Sequence, residues 1–145
     1  MSRQIFWCWA WVVASAALAA GCGGDEGPKL VPVSGTVTLD GNPLPDVAVT
    51  FHPDQAKGNK SGLIPAATAN AEGKYELEAS AKKGAEVGWY KVLVIASSPQ
   101  PKGGEMPQVV PPPFNKKYMD AETTDLSIEV KADATPGSYD LKLAK

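Results

Sequence analysis

Four groups of residues in this chain have side chains and spacings that could do chemistry. Cys22 closes the run Leu18-Ala19-Ala20-Gly21-Cys22. Small residues ahead of a thiol suit a peptidase that cuts before it and an enzyme that attaches acyl chains to the sulfur. His52 is the only histidine and has Asp54 as its nearest acidic neighbour in the chain. Zinc needs three or four converging ligands, so His52 reads as an outward-facing strand residue and no metal site is expected. Asp120, Glu122 and Asp125 crowd one loop and invite calcium, but the stretch lacks the glycine and the bidentate acid of a calcium loop. They read as a solvated turn. Trp89, Leu93 and Ile95 alternate along one side of a very apolar strand. Either the proline-rich segment that follows folds over them, with Phe114 or Tyr118 packed underneath, or they form a partner-binding or glycan-stacking surface centred on the Trp89 ring.

Acid catalysis by paired carboxylates needs apolar surroundings that raise one pKa, and the sequence marks no such pair. Nor does the chain hold a Gly-rich phosphate loop, or a Gly-x-Ser-x-Gly turn with a histidine to serve it. No catalytic residue and no cofactor is expected, and the chain is read as not an enzyme.

The elements that must position these groups begin with a leader. Arg3 supplies a positive start, Ile5 to Leu18 an apolar run, and Ala19, Ala20 and Gly21 the small residues before Cys22, the pattern of a bacterial lipoprotein signal over residues 1–21. The apolar part ends near Leu18, short of the roughly 20 residues that a membrane-spanning helix requires. Removal of the leader takes away Trp7, Trp9, Trp11, Cys8 and the only arginine. Trp89 is then the sole tryptophan, and an acylated Cys22 leaves no thiol for a disulfide. Thirteen lysines face sixteen acidic residues after Cys22 without a basic stripe, so nucleic acid is not an expected partner. Residues 22–30 read as the lipidated cysteine and a small, polar tether, and residues 31–145 as one domain.

Period-2 alternation then dominates. Val31, Val33, Val37 and Leu39 oppose Ser34, Thr36 and Thr38. Val47, Val49 and Phe51 oppose Thr50 and His52, and Tyr75, Leu77 and Ala79 oppose Lys74, Glu76 and Glu78. Tyr90, Val92 and Val94 oppose Trp89, Leu93 and Ile95; Leu126, Ile128 and Val130 oppose Ser127 and Glu129; Tyr139, Leu141 and Leu143 oppose Asp140 and Lys142. A short strand over 64–69 completes a set of seven. Asp40-Gly41-Asn42-Pro43 and Asn70-Ala71-Glu72-Gly73 are the turns, with Gly73 suited to a left-handed position. Residues 53–63 read as a surface loop. Residues 98–117 hold six of the thirteen prolines and cannot donate regularly to a sheet. The expected fold is all-β, an antiparallel seven-stranded sandwich.

Val33-Ser34-Gly35-Thr36-Val37-Thr38-Leu39-Asp40-Gly41-Asn42-Pro43-Leu44, Val49-Thr50-Phe51 with Pro53, Glu72-Gly73-Lys74-Tyr75, Gly88-Trp89-Tyr90-Lys91-Val92, and Lys117-Tyr118 before Leu126-Ser127-Ile128-Glu129-Val130 together resemble the carboxypeptidase regulatory-like domain. The resemblance implies a transthyretin-like (prealbumin-like), Ig-like sandwich, which small bacterial lipoproteins carry alone, and a non-catalytic accessory role. Transthyretin-related hydroxyisourate hydrolases use histidines, an arginine and a C-terminal Tyr-Arg-Gly-Ser motif, none of which matches the ending Tyr139-Asp140-Leu141-Lys142-Leu143. The expectation is therefore a lipid-anchored envelope protein, held to a membrane through Cys22, that presents an interaction or structural module to an envelope protein or polysaccharide. The alternative is a carbohydrate- or small-ligand-binding accessory lipoprotein, with Trp89, Leu93, Ile95 and Phe114 lining its groove. Gly23 in place of an aspartate after the cysteine points, by resemblance, to the outer membrane.

Overall fold

A computed structural model of the chain describes residues 27–97 and 111–145. The leader, Cys22 and residues 98–110 of the proline-rich segment lie outside the described residues. The described chain is all-β, with helical character confined to two 3₁₀ turns, Gln55–Lys57 and Lys116–Met119.

Twelve short strands replace the expected seven: β1 (Leu30–Val31), β2 (Ser34–Leu39), β3 (Asn42–Pro43), β4 (Val47–Pro53), β5 (Ala66–Thr68), β6 (Lys74–Glu76), β7 (Glu78–Ala79), β8 (Lys82–Lys83), β9 (Ala85–Glu86), β10 (Gly88–Ala96), β11 (Ser127–Val130) and β12 (Leu141–Leu143). The larger number arises because runs that alternate without a break change sheets partway. Pro32 has no N–H to give a ladder; before it β1 pairs with β9, and after it β2 pairs with β6. At Leu77 the chain passes from β6, paired with β2, to β7, paired with β5 and β8. Leu77 still spends both backbone groups, donating to the Val33 carbonyl and accepting from the Gly84 N–H.

One sheet runs β11-β10-β4-β5-β7-β8, another β12-β2-β3 with β6 also on β2, and β1-β9 form a small third. All pairs are antiparallel except β12 with β2, which is parallel, with Leu141 opposite Val37. This corrects the expectation of a wholly antiparallel arrangement. The last strand is also shorter than the alternation suggests: Thr135 to Asp140 form a turn in which Ser138 N–H donates to the Thr135 carbonyl, and Leu141 begins the strand.

The two larger sheets share one core. Val47, Val49, Phe51, Tyr90, Val92 and Val94 bury themselves from one side, and Val37, Tyr75, Leu141 and Leu143 from the other. Phe51 sits at its centre, its ring tilted against Tyr90 at 5.8 Å and Tyr75 at 6.4 Å. Such tilted pairs suit the aromatic quadrupole. The Tyr75 hydroxyl donates to the Tyr139 carbonyl at 2.5 Å, and the Asp140 carboxylate accepts from the Thr36 N–H at 2.8 Å. These bonds bring the C-terminal turn against β2. A Cβ on Gly35 would lie 2.7 Å from the Tyr139 carbonyl carbon, so the close approach requires a residue without a side chain.

Candidate functional site

The loop after β4 is built around two buried polar side chains. Asp54 is buried, and its carboxylate accepts from the Ala56 N–H at 3.1 Å, capping the 3₁₀ turn. Gly58 ends that turn in the left-handed region at φ 85°. Asn59, only 7% exposed, donates from Nδ2 to the Trp89 carbonyl at 2.8 Å and accepts at Oδ1 from the Ser61 N–H at 3.0 Å. The Asp54 N–H donates to the same Trp89 carbonyl at 2.9 Å. The loop is thereby tied to the start of β10. Gly88 permits this, because its φ is 145° and a Cβ there would stand 2.9 Å from Asn59 Nδ2.

The result is an open cleft of about 490 Å³ whose walls include Lys29, Lys57, Lys60, Glu86, Val87 and Trp89, within the size range of small-ligand sites. Lys57 Nζ stands 3.9 Å from the Trp89 ring centroid and donates to Ser127 Oγ at 2.8 Å. The ammonium therefore lies over one indole face in a cation–π contact. Three ammonium groups against one carboxylate make the cleft cationic, although the chain as a whole carries a formal charge of −2. Beneath it the Tyr90 hydroxyl donates to the Glu86 carbonyl at 3.0 Å, and burial raises its pKa. A second cleft, about 340 Å³, lies between Val31, Ser34, Lys131, Thr135, Pro136 and Tyr139.

The residues singled out in the sequence do not converge. Trp89 is half-buried and faces the cleft, Leu93 is 8% exposed, Ile95 is 41% exposed near the far end of β10, and Phe114 is 4% exposed within the main core, where it packs on Tyr118 at 6.4 Å. Phe114 and Tyr118 thus belong to the shared core rather than to a layer under Trp89. The groove expected beside Pro99 to Phe114 falls largely on residues outside the described ones. The described cleft is formed instead by the loop after β4 and the start of β10.

His52 is half-buried opposite Lys91 in the β4–β10 ladder. Asp120 accepts from the Glu122 N–H at 2.8 Å, and Asp125 pairs with Lys117 Nζ at 2.7 Å, which lowers its pKa. Among the described residues no three His, Cys, Asp or Glu side chains come together as a metal site, and no helix is long and apolar enough to cross a membrane. The lysines at the cleft come from separate segments, before β1 and in the loop after β4, and alternation carries no signal of their meeting. The buried Asn59 between Gly58 and a lysine was the one local cue to an ordered loop. No family model, curated protein or solved structure matches the chain.

Proposed function

We propose that the chain is a lipid-anchored protein of the bacterial cell envelope, attached through acyl chains on Cys22, whose transthyretin-like β-sandwich presents a non-catalytic interaction surface.

 The two-sheet arrangement around Phe51 supports the sandwich reading. The observation that carries the functional reading is the cleft at Trp89, a preformed cavity facing solvent lined by an indole and three lysines, one of which, Lys29, leads into β1. The carboxylates weighed in the sequence as metal ligands serve the backbone, Asp54 as a cap and Asp120 in a turn. Gly23 after the cysteine, in place of an aspartate, supports placement at the outer membrane by resemblance.

The test is fractionation of cells making the wild-type chain and Cys22→Ala, with mass spectrometry of the processed amino terminus. Acylated Cys22 and release of the variant from membranes are the expected results, and an unmodified thiol in the wild-type protein refutes the anchor. A second reading, a carbohydrate- or small-ligand-binding accessory lipoprotein, is favoured by the Trp89 ring in the cleft. Titration of envelope polysaccharides while Trp89 emission is followed tests it.

A further inference from the structure

The cleft lies where the tether joins the domain. Lys29 lines it and is followed directly by β1. Seven residue steps separate Cys22 from Lys29, and a chain of that length reaches no more than about 25 Å whatever its conformation. If the sulfur is acylated, this end of the domain is confined close to the lipid surface.

Its composition suits that position. Outside the cleft, Lys74, Lys83, Lys117, Lys131 and Lys145 are ion-paired with Glu72, Glu76, Asp125, Glu129 and Asp40, while Lys82, Lys91, Lys116 and Lys142 are spread singly over other faces or segments. Among the described residues Lys29, Lys57 and Lys60 have no such carboxylate partner; Lys57 donates to a serine hydroxyl. Val87, 55% exposed, and the half-buried Trp89 stand between these ammonium groups. Ammonium groups beside an indole and an exposed aliphatic side chain match the phosphate and glycerol layers of a phospholipid headgroup region.

We propose that this end of the domain docks on an anionic phospholipid surface, with Lys29, Lys57 and Lys60 on headgroup phosphates and Trp89 and Val87 entering the headgroup layer. The proposal rests on the lipid-anchored reading and adds an orientation to it. One lysine near an anionic surface is worth roughly five-fold in partitioning, so three lysines against Glu86 alone favour the docked state on the order of 25-fold, a figure that Asp25 and Glu26 of the tether lower.

The processed lipoprotein, in which Trp89 is the sole tryptophan, is mixed with vesicles of phosphatidylcholine, with or without phosphatidylglycerol, that carry a headgroup nitroxide lipid. Flotation reads anchorage, and quenching of Trp89 reads docking. The expected result is flotation with both vesicle types, with quenching that requires phosphatidylglycerol, is reversed by salt and is lost in the double variant Lys29→Gln/Lys60→Gln, which leaves the Lys57–Trp89 contact in place. Flotation with both but equal quenching overturns docking and leaves the anchor standing. Flotation and quenching only with phosphatidylglycerol overturn the anchor and support docking; flotation with neither overturns both. A change in Trp89 emission with polygalacturonate but not with phosphatidylglycerol overturns the membrane proposal in favour of an acidic glycan.

Discussion

Asn59 should hold the cleft together, and its two bonds allow the effect to be worked out. Its amide orientation is fixed by its partners, since the Trp89 carbonyl can only accept and the Ser61 N–H can only donate. Asn59→Ala removes both bonds. Each contributes about 1 kcal/mol net. The Trp89 carbonyl keeps the Asp54 N–H, and the partly exposed Ser61 N–H can turn to water, so no large desolvation penalty is added. The expected loss is about 2 kcal/mol, or roughly 8 °C in Tm for a domain of this size. Asn59→Asp keeps the acceptor toward Ser61 but sets a carboxylate oxygen against the Trp89 carbonyl, where the wild-type contact is 2.8 Å. That substitution should cost more than the alanine at neutral pH. Because the repulsion penalises only the charged form, its pKa in the folded state rises above the unfolded value, and the extra loss should fade as pH falls through that raised value. Urea unfolding followed by Trp89 emission measures both variants. A loss below about 0.5 kcal/mol for the alanine, or an aspartate no worse than the alanine at neutral pH, would refute the reasoning.

Three further outcomes are expected. Gly35→Ala drives a Cβ into the Tyr139 carbonyl and should cost about 3 kcal/mol in denaturant unfolding, since backbone must move on both sides. Phe114→Ala should cost about 3–5 kcal/mol while leaving the Trp89 emission maximum unchanged, because the ring packs in the shared core on Tyr118. Tyr75 and Tyr90 both have phenols whose pKa burial raises. Below about pH 10 both states keep these phenols neutral and the two groups add no pH dependence; above it the unfolded chain ionises first, so stability declines. Tyr75→Phe should lower stability at neutral pH by about 1–2 kcal/mol through loss of the bond to Tyr139, and should flatten that alkaline decline in a pH series of urea midpoints.

Much of the core was legible because burial on one face of a strand leaves a period of two. Val47, Val49 and Phe51, then Tyr90, Val92 and Val94, are buried as their alternation indicates. Gly73 takes a left-handed φ of 73° in its turn, where Asn70 accepts from the Glu72 and Lys74 N–H groups. Pairing partners were not legible, because the same alternation satisfies either sheet; hence the crossings at Pro32 and Leu77. The β7–β8 hairpin turns on Ser80 and Ala81, both at positive φ, and neither residue type announces such a turn. The site was legible only at Trp89. Its lysine neighbours are brought together by an asparagine bond spanning thirty positions, which no short motif records.

The parallel pairing of Leu141–Leu143 with Val37–Leu39 has a kinetic consequence. During synthesis β12 emerges from the ribosome about a hundred residues after β2, so one flank of β2 waits uncovered until β12 has followed. Closure of the β12-β2-β3 sheet thus waits on β12, and a polypeptide stalled before that strand would keep an open edge, available to chaperones and to neighbouring copies.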